Sequence, residues 1–586
     1  MAGQPEKVLP RLDLVLKGTQ EPNIVAEAKF LQGASLLKLN KLEDAIAALE
    51  KSLQTSKEWG QADEVLLVLA QAFEAKQDKV KAKETLERLL KEYPNSRFKT
   101  QAEFRLGQLS AQAGKVQEAT TWFKRVIAEG QPANTATTGI QDSAKFNIGY
   151  LLMQENRWSE AMEWLDQVLA TTKTVGLSQD AAIAKAICLR QLNRAEESIP
   201  ILMQLMGTEL PKSTLTRARF EVALGYVALK RYPEAIAALD QIEREDAQNE
   251  LMDRVYFERA WAHKDSGELV RSNEAFRQLA ERFPESPLVG EAYFHVAQSD
   301  YDSSRFDNAV RAYTVAASKS ISKDMQEKSL HRIGMALYQQ ERFEESAKQF
   351  SKQLTEFPKG DLSIDARLMV AECAFKQQQY ASAMIHYETA RKAIESKTDR
   401  VVVQDQVRAL IYLHGAQTAG ELKKWTDVEA WVTKMVAVVP DSPLLGVARY
   451  EQAIALQNLR KGEEALRIFE SIAEEHKNEL GARARFMEGE QYFAQKDYTR
   501  AVQAFQKVMY GFGGTQAADA IKNWQARSAF EAGRCSEVLI GDLSGERRKK
   551  AIDVAKRYYD FLINNHSEHE LARQAQTRIS ELTINQ

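Results

Sequence analysis

The chain has 586 residues, 44% hydrophobic and 27% charged, with 79 basic against 82 acidic side chains. Such an interleaved balance offers no overall field to a phosphate backbone or an anionic membrane, which disfavours a nucleic-acid reader, and the composition excludes a disordered chain. No run of about 18 apolar residues occurs, so no transmembrane segment is expected, and three cysteines, Cys188, Cys373 and Cys535, cannot build a disulfide framework.

The first stretch, MAGQPEKVLPRLDLVLKG, has no basic region followed by an apolar core and so reads as no signal peptide; residues 1–24 are expected to form an N-terminal capping helix. From about Val25 a pattern of three columns begins: a Gly or Ala, a small residue twelve positions on, and a large apolar residue four further. It starts at Gly33, Ala45 and Leu49 and is still legible at Gly489, Ala501 and Phe505. The second column advances by 37 residues at a time, apart from steps of 42 before Ala161, 45 before Val428 and 36 before Ala501. Such a period predicts an all-α solenoid of thirteen helix-turn-helix repeats and a degenerate fourteenth near Ala526 and Val538, whose second helix is displaced by the insertion LIGDLSGERRKK (Leu539 to Lys550).

In chain order, repeats 1–3 occupy 25–130, repeats 4–10 occupy 131–395, repeats 11–13 occupy 396–515, and 516–586 hold the degenerate repeat with a C-terminal capping helix. The long connections EGQPANTATTGIQDS (Glu129 to Ser143) and ESKTDRVVVQDQ (Glu395 to Gln406) separate these blocks. Because the apolar faces keep their register across both, one continuous superhelix is expected. A two-helix unit of this size cannot bury its own apolar faces and must stack on its neighbours. The joints repeat as well: FPESPLVG (Phe283 to Gly290) returns as VPDSPLLG (Val439 to Gly446), with fainter copies at Tyr93 to Ser96 and Phe357 to Asp361. Pro284 and Pro440 stop one helix, and Ser286 and Ser442 are expected to cap the next, with Pro287 and Pro443 in its first turn.

Small, small twelve later, large apolar four after that, and Pro eight further (Pro94, Pro284, Pro358, Pro440) resembles the tetratricopeptide repeat family from about Val25 to Leu582. The forms A-x-aromatic-x-L-G, as in AEFRLG (Ala102 to Gly107), and P-x-S are similar to the bacterial cell-envelope type, which includes the TolA-binding protein and the outer-membrane assembly lipoprotein. The resemblance implies a superhelix whose inner wall, built by the first helix of each repeat, takes up a peptide or a partner domain in a non-catalytic scaffold. It implies no cofactor. The family's carboxylate clamp is not reproduced, because Phe30, Leu67 and Phe104 stand where it needs Lys. An envelope or periplasmic place follows if an export signal has been removed, a cytoplasmic one otherwise.

Relative to the first column, the fourth position onward holds Lys264, Tyr301, Tyr338 and Phe375 in consecutive repeats, and the next position after the column holds Trp261, Gln298, Met335 and Glu372. The candidate partner-binding set is Trp261, Lys264, Tyr301, Asp302 and Tyr338, with interhelical core as the competing place for Tyr338 and Phe375. A second aromatic column nine positions on, including Trp158, Phe306, Phe343, Tyr380 and Tyr498, reads as packing at the turn, and Phe104, Phe146, Phe220, Phe257, Phe294 and Phe486, three positions before the anchor, read the same way. Cys188 and Cys373 read as small core residues, and Cys535 lacks an activating partner. His566 and His569 read as a solvated helix start in preference to a metal pair, YGFGG (Tyr510 to Gly514) as a loop, and ERRKK (Glu546 to Lys550) as a solvated face with an acidic partner as the alternative. An enzyme would need titratable groups converging from neighbouring repeats and an RNA reader a basic stripe, and the rows show neither.

Overall fold

Thirteen times along the chain a first helix stops in the same way, and the stop is made by the backbone. Seven positions after each first-column Gly or Ala the residue has a positive φ, from Asn40 (57°) through Gly114 (72°), Gly267 (85°) and Glu341 (59°) to Lys496 (64°). The next N–H then reaches back five residues, as in Lys41 N to Leu36 O at 3.0 Å, Arg231 N to Tyr226 O at 2.8 Å and Asp497 N to Tyr492 O at 2.9 Å. This left-handed cap satisfies carbonyls that the helix end would orphan and turns the chain into the second helix two residues later.

The structure, a computed structural model, describes residues 5–56, 59–128, 135–395, 403–541 and 543–584. Among them are 30 α-helices and no strand. Two units divide the chain, residues 1–283 and 284–586. The first opens with α1 (Pro5–Gly18) and continues as pairs: α2 (Pro22–Lys38) with α3 (Leu42–Thr55), α4 (Ala62–Ala75) with α5 (Lys79–Glu92), and α6 (Lys99–Gln112) with α7 (Val116–Ala128). Then come α8 (Thr135–Gln154) with α9 (Trp158–Thr171), α10 (Val175–Gln191) with α11 (Ala195–Met206), α12 (Lys212–Ala228) with α13 (Tyr232–Asp246), and α14 (Met252–Asp265) with α15 (Leu269–Arg282). The second unit pairs α16 (Val289–Asp302) with α17 (Phe306–Lys319), α18 (Lys323–Gln339) with α19 (Phe343–Glu356), α20 (Ser363–Lys376) with α21 (Tyr380–Glu395), and α22 (Asp405–Glu421) with α23 (Trp425–Val438). It ends with α24 (Leu445–Asn458) and α25 (Gly462–Glu475), α26 (Glu479–Ala494) and α27 (Tyr498–Tyr510), α28 (Asp519–Ile540) and α29 (Gly545–Asn565), and a last helix α30 (Ala572–Ile584). Within each unit a helix packs on the next one along the chain, and first helices also touch the first helix of the following repeat, as α10 does α12 and α22 does α24. Each unit is a solenoid of stacked helix pairs.

The three columns are the seams of the stack, and every residue in them is buried. A Cβ added to Gly107 would sit 2.6 Å from the ring of Phe123, and one on Gly334 2.6 Å from that of Phe350. The small first column is therefore the space that the large third column occupies. The Gly of the repeated joint has its own reason: a Cβ on Gly290 would lie 2.6 Å from the backbone of Ser320, where α16 crosses the connection leaving α17.

Two expectations need correction. Ser286 and Ser442 do not cap the following helices. Helix α16 begins behind Leu288 without a side-chain cap, and the serine oxygens instead accept from the N–H two residues on, Leu288 at 3.2 Å and Leu444 at 3.2 Å. The P-x-S segment is thus a separate turn placed before the helix. In the fourteenth repeat the anchor is Gly533, not Ala526, because Tyr559 packs where a Gly533 Cβ would be, at 2.5 Å. The insertion lengthens the two helices, so the matching pair lies 26 residues apart instead of 16. The long connections at 129–143 and 395–406 fall in part outside the described residues, at 129–134 and 396–402.

His331 takes the place on α18 that Phe257 and Phe294 hold in two preceding repeats. Its ring meets Phe350 at 5.2 Å, its Nδ1 lies 3.2 Å from Gln353 Oε1, and burial, with Arg332 adding to it, pushes the imidazole down to about 4.

Two outcomes follow. Replacing Glu341 by Gly should raise stability by about 0.5–1 kcal/mol, since a side chain is strained at φ 59°, whereas Gly290→Ala should lower it by about 1–3 kcal/mol; Gly176→Ala, with nothing within 4 Å of the new Cβ, is the neutral control, all read as urea midpoints. Because the His331 value is lower in the folded than in the unfolded chain, its stabilisation is complete above pH 6.5 and is lost as pH falls toward 4. His331→Phe should remove up to about 3 kcal/mol of that acid sensitivity, measured as the wild-type minus variant difference in unfolding free energy across the window.

Candidate partner-binding surface

The first column faces the paired second helix; on the same first helix the residue one position later is turned about 100° from that seam, and the residue four positions later stays within about 40° of it. In the first unit the position after the column holds Tyr150, Ile187, Leu224 and Trp261, one from each of four consecutive repeats. All four are only partly covered, and Tyr150 keeps 49% of its surface. Ion pairs join neighbouring first helices: Arg105 Nη1 to Glu74 Oε2 at 2.6 Å between α6 and α4, ahead of the row, and Arg190 Nη2 to Glu221 Oε2 at 2.9 Å between α10 and α12, within it. Burial is the largest influence on the Glu74 carboxyl and raises it, and the Arg105 charge opposes that.

Trp261 and Lys264 are brought together. The indole stands edge-on to Phe276 at 6.1 Å and to Phe257 at 6.3 Å, and Lys264 Nζ lies 4.3 Å from the ring centre. One edge of the tryptophan is thus held by α15 while a cation covers its face, an arrangement that fixes a large half-exposed ring.

The second unit holds Tyr301, Asp302 and Tyr338. Tyr301 packs edge-on to Phe306 at 5.4 Å with the Arg332 guanidinium 5.6 Å from its ring. Tyr338 packs on Phe343 at 5.2 Å, and burial, helped by the neighbouring Glu372, pushes its phenol up to about 12. Phe375 meets Tyr380 at 5.4 Å in the same geometry. The aromatic four positions after the anchor and the aromatic nine after it are therefore partners across the turn of a single repeat. Asp302, exposed, accepts from Gln298 Nε2 at 2.8 Å, and Gln298 Oε1 accepts from the buried Tyr313 hydroxyl at 2.9 Å. The row position that holds Tyr150, Ile187, Leu224 and Trp261 in repeats 4–7 reads Gln298, Met335, Glu372 and Gln417 here. Glu372 Oε1 accepts from the Tyr387 hydroxyl and meets His414 Nδ1, each at 2.5 Å.

Tyr150, Ile187 and Leu224 were missed by a reading that began the row at Trp261; stepping back by 37 residues reaches Leu224 and Ile187, and Tyr150 in the same register finds the fourth. The three cysteines are buried, and burial raises Cys188 and Cys373 to about 11 and Cys535 to about 12, so each is a protonated core thiol. His569 is part of a turn, accepting from Leu571 N at 3.2 Å and meeting Asn523 at 2.9 Å, while His566 packs on Phe561 at 5.8 Å. Among the described residues no group of three His, Cys, Asp or Glu side chains is placed to hold a metal ion, and no helix is long and apolar enough to cross a membrane.

Sequence models of the tetratricopeptide repeat match residues 64–96, 146–177, 331–396 and 450–513, so these segments are tetratricopeptide repeats. No curated protein matches the chain significantly. Among solved structures the chain is similar to a tetratricopeptide repeat protein from Parabacteroides merdae, with 18% identity over 47% of this chain and 100% of that one at a TM-score of 0.36. It is also similar to the C-terminal part of a repeat-containing protein from Cytophaga hutchinsonii, with 14% identity over 45% and 98% at 0.37, and to the Cut9–Hcn1 assembly of APC/C, with 15% identity over 98% and 98% at 0.32.

The two kinds of wall residue should separate in stability measurements. Tyr150→Ser is expected to change the unfolding free energy by less than about 0.5 kcal/mol, whereas Trp261→Ala should cost about 2 kcal/mol through its lost contacts with Phe257 and Phe276; urea unfolding of both variants gives the comparison.

Proposed function

We propose that the chain is a non-catalytic scaffold that takes up a peptide or a partner domain along the wall of its first helices. The observation that carries this reading is the row Tyr150, Ile187, Leu224 and Trp261: apolar side chains, one per repeat, beside a first column that is fully sealed, with Tyr150 exposed over 49% of its surface and the other three partly covered. A partly open apolar row with an ion pair between α10 and α12 supports a binding role, because apolar area is left for a partner to cover while the charges fix its direction. Packed helices stand about 10 Å apart, which is about one three-residue turn of polyproline II. The ligand is therefore a polyproline II segment with an apolar residue at every third position, or a helix with one at every seventh. In this reading Trp261 and Lys264 are the anchors of the first unit, and Tyr301, Asp302 and Tyr338 present a polar-aromatic surface in the second. The A-x-aromatic-x-L-G and P-x-S forms support a setting in the cell envelope, with assembly of other proteins as the task.

Affinity capture with the full chain, followed by mass spectrometry, tests this. Wild type should retain a defined set of proteins, and a Trp261→Ala, Tyr301→Ala, Leu224→Ser variant should lose it at unchanged helix content. Retention of every partner by that variant would show that the wall is not the site.

A further inference from the structure

The fourteenth repeat departs from the rest in a way that the wall of first helices does not use. Helices α28 and α29 are 22 and 21 residues long, against 16 and 13 for α26 and α27. Helix α27 begins seven residues before its buried Phe505, but α29 begins fourteen before the equivalent Tyr559. The seven extra residues add about two turns, roughly 10 Å of helix. This extension is a built one: Ile540, Ile552 and Ala555 form a small core, closed by Leu582 of α30. Ile552 is level with the end of α28, so the first turns of α29 overhang it.

The overhang carries two kinds of residue. Val538 and Leu539 at the end of α28 are 47% and 44% exposed, and Leu543 in the turn is 37% exposed. Arg547, Arg548, Lys549 and Lys550 follow without interruption. Successive helical residues are about 100° apart, so four in a row spread cations round most of the circumference. Among the described residues no ion pair holds any of the four; α29 opens with an acid, Glu546, as α3 and α19 open with theirs, and the four cations follow it directly. Arg547 and Arg548 complete the first turn of α29, where a cation opposes the helix dipole, so their placement does nothing for the stability of that helix.

We propose that this overhanging end docks onto an anionic lipid surface, with Leu539 and Leu543 entering the interfacial layer and the four cations seated among lipid phosphates. Charge complementarity selects an anionic occupant, and the distribution of the charge selects its form. A protein partner meets one face of a helix, leaving the opposite cations unused, whereas a headgroup layer surrounds an inserted tip on every side. Exposed leucines next to the cations supply the apolar contact that holds a tip at such an interface. Lying at the turn between α28 and α29, this surface shares no residue with the row on which the proposed partner uptake rests.

Flotation of the full chain with vesicles tests the inference. It should bind vesicles of phosphatidylcholine mixed with phosphatidylglycerol, more weakly as salt rises, and should leave vesicles of phosphatidylcholine alone. Each cation near an anionic surface is worth roughly a factor of five in affinity, so the Arg547→Gln, Arg548→Gln, Lys549→Gln, Lys550→Gln variant should bind on the order of several hundredfold more weakly. Leu539→Ser, Leu543→Ser should weaken binding while keeping its salt dependence, and circular dichroism should show unchanged helix content in both. Failure of wild type to bind the anionic vesicles overturns the proposal, as does binding that survives the four Gln substitutions. Recovery of only an acidic protein or a nucleic acid on this tip, with vesicles ignored, would overturn it too.

Discussion

The close approach of a glycine or alanine on one helix to a bulky side chain sixteen residues later is the contact on which the rest of the structure depends. At Gly107 and Gly334 there is no space for a single added carbon before the rings of Phe123 and Phe350 are met. That proximity fixes how each pair is packed, and the fixed pair presents its remaining apolar surface to the next. No helix here could persist alone in water on its own propensity, because helices of about fourteen residues are marginal without tertiary packing. Stability is therefore shared between neighbours, and each repeat depends on the two beside it.

Much of this was legible in the sequence because the contact is periodic and uses extremes of size. A column of only Gly and Ala facing a column of only large apolar residues cannot be hidden by drift elsewhere. The turn was not legible. Eleven of its thirteen left-handed residues are not glycine, and Lys230, Glu341 and Arg460 are poor signals for such a backbone. Their neighbours impose the conformation, so local preference is overruled by packing on both sides. Ser286 misled for a related reason: Ser before a helix suggests a cap, but the prolines around it fold the segment into a turn of its own. The last repeat hid its anchor because the insertion lengthened both helices at once and moved Gly533 and Tyr559 out of step.

For the candidate surface the sequence located the layer better than the residues. Tyr301 and Tyr338 stood out as a stripe, but their rings are already engaged by Phe306 and Phe343, the very column that read as turn packing. Two columns five residues apart on either side of a turn are one aromatic pair, which spacing alone does not reveal because the turn reverses the chain between them. Tyr150, Ile187 and Leu224 were quieter: different residue types share a position, and only their partial exposure unites them. Charge behaved similarly. A chain with nearly equal acids and bases has no net field, yet one second helix, α29, carries four bases in a row behind its first acid, so the informative quantity was the placement of charge and not its sum.

The left-handed turns are held by main-chain atoms on both sides of each hydrogen bond. Lysine, glutamate, serine, asparagine and glycine all serve at the same place, because none of their side chains makes the bond that matters. A hinge written in the backbone leaves its side chains free to vary. Repeats can therefore be copied, inserted or worn down by substitution without losing the angle between their helices, and each copy arrives with its outward positions open to a new task. An array built this way diversifies at its surface while its joints stay the same.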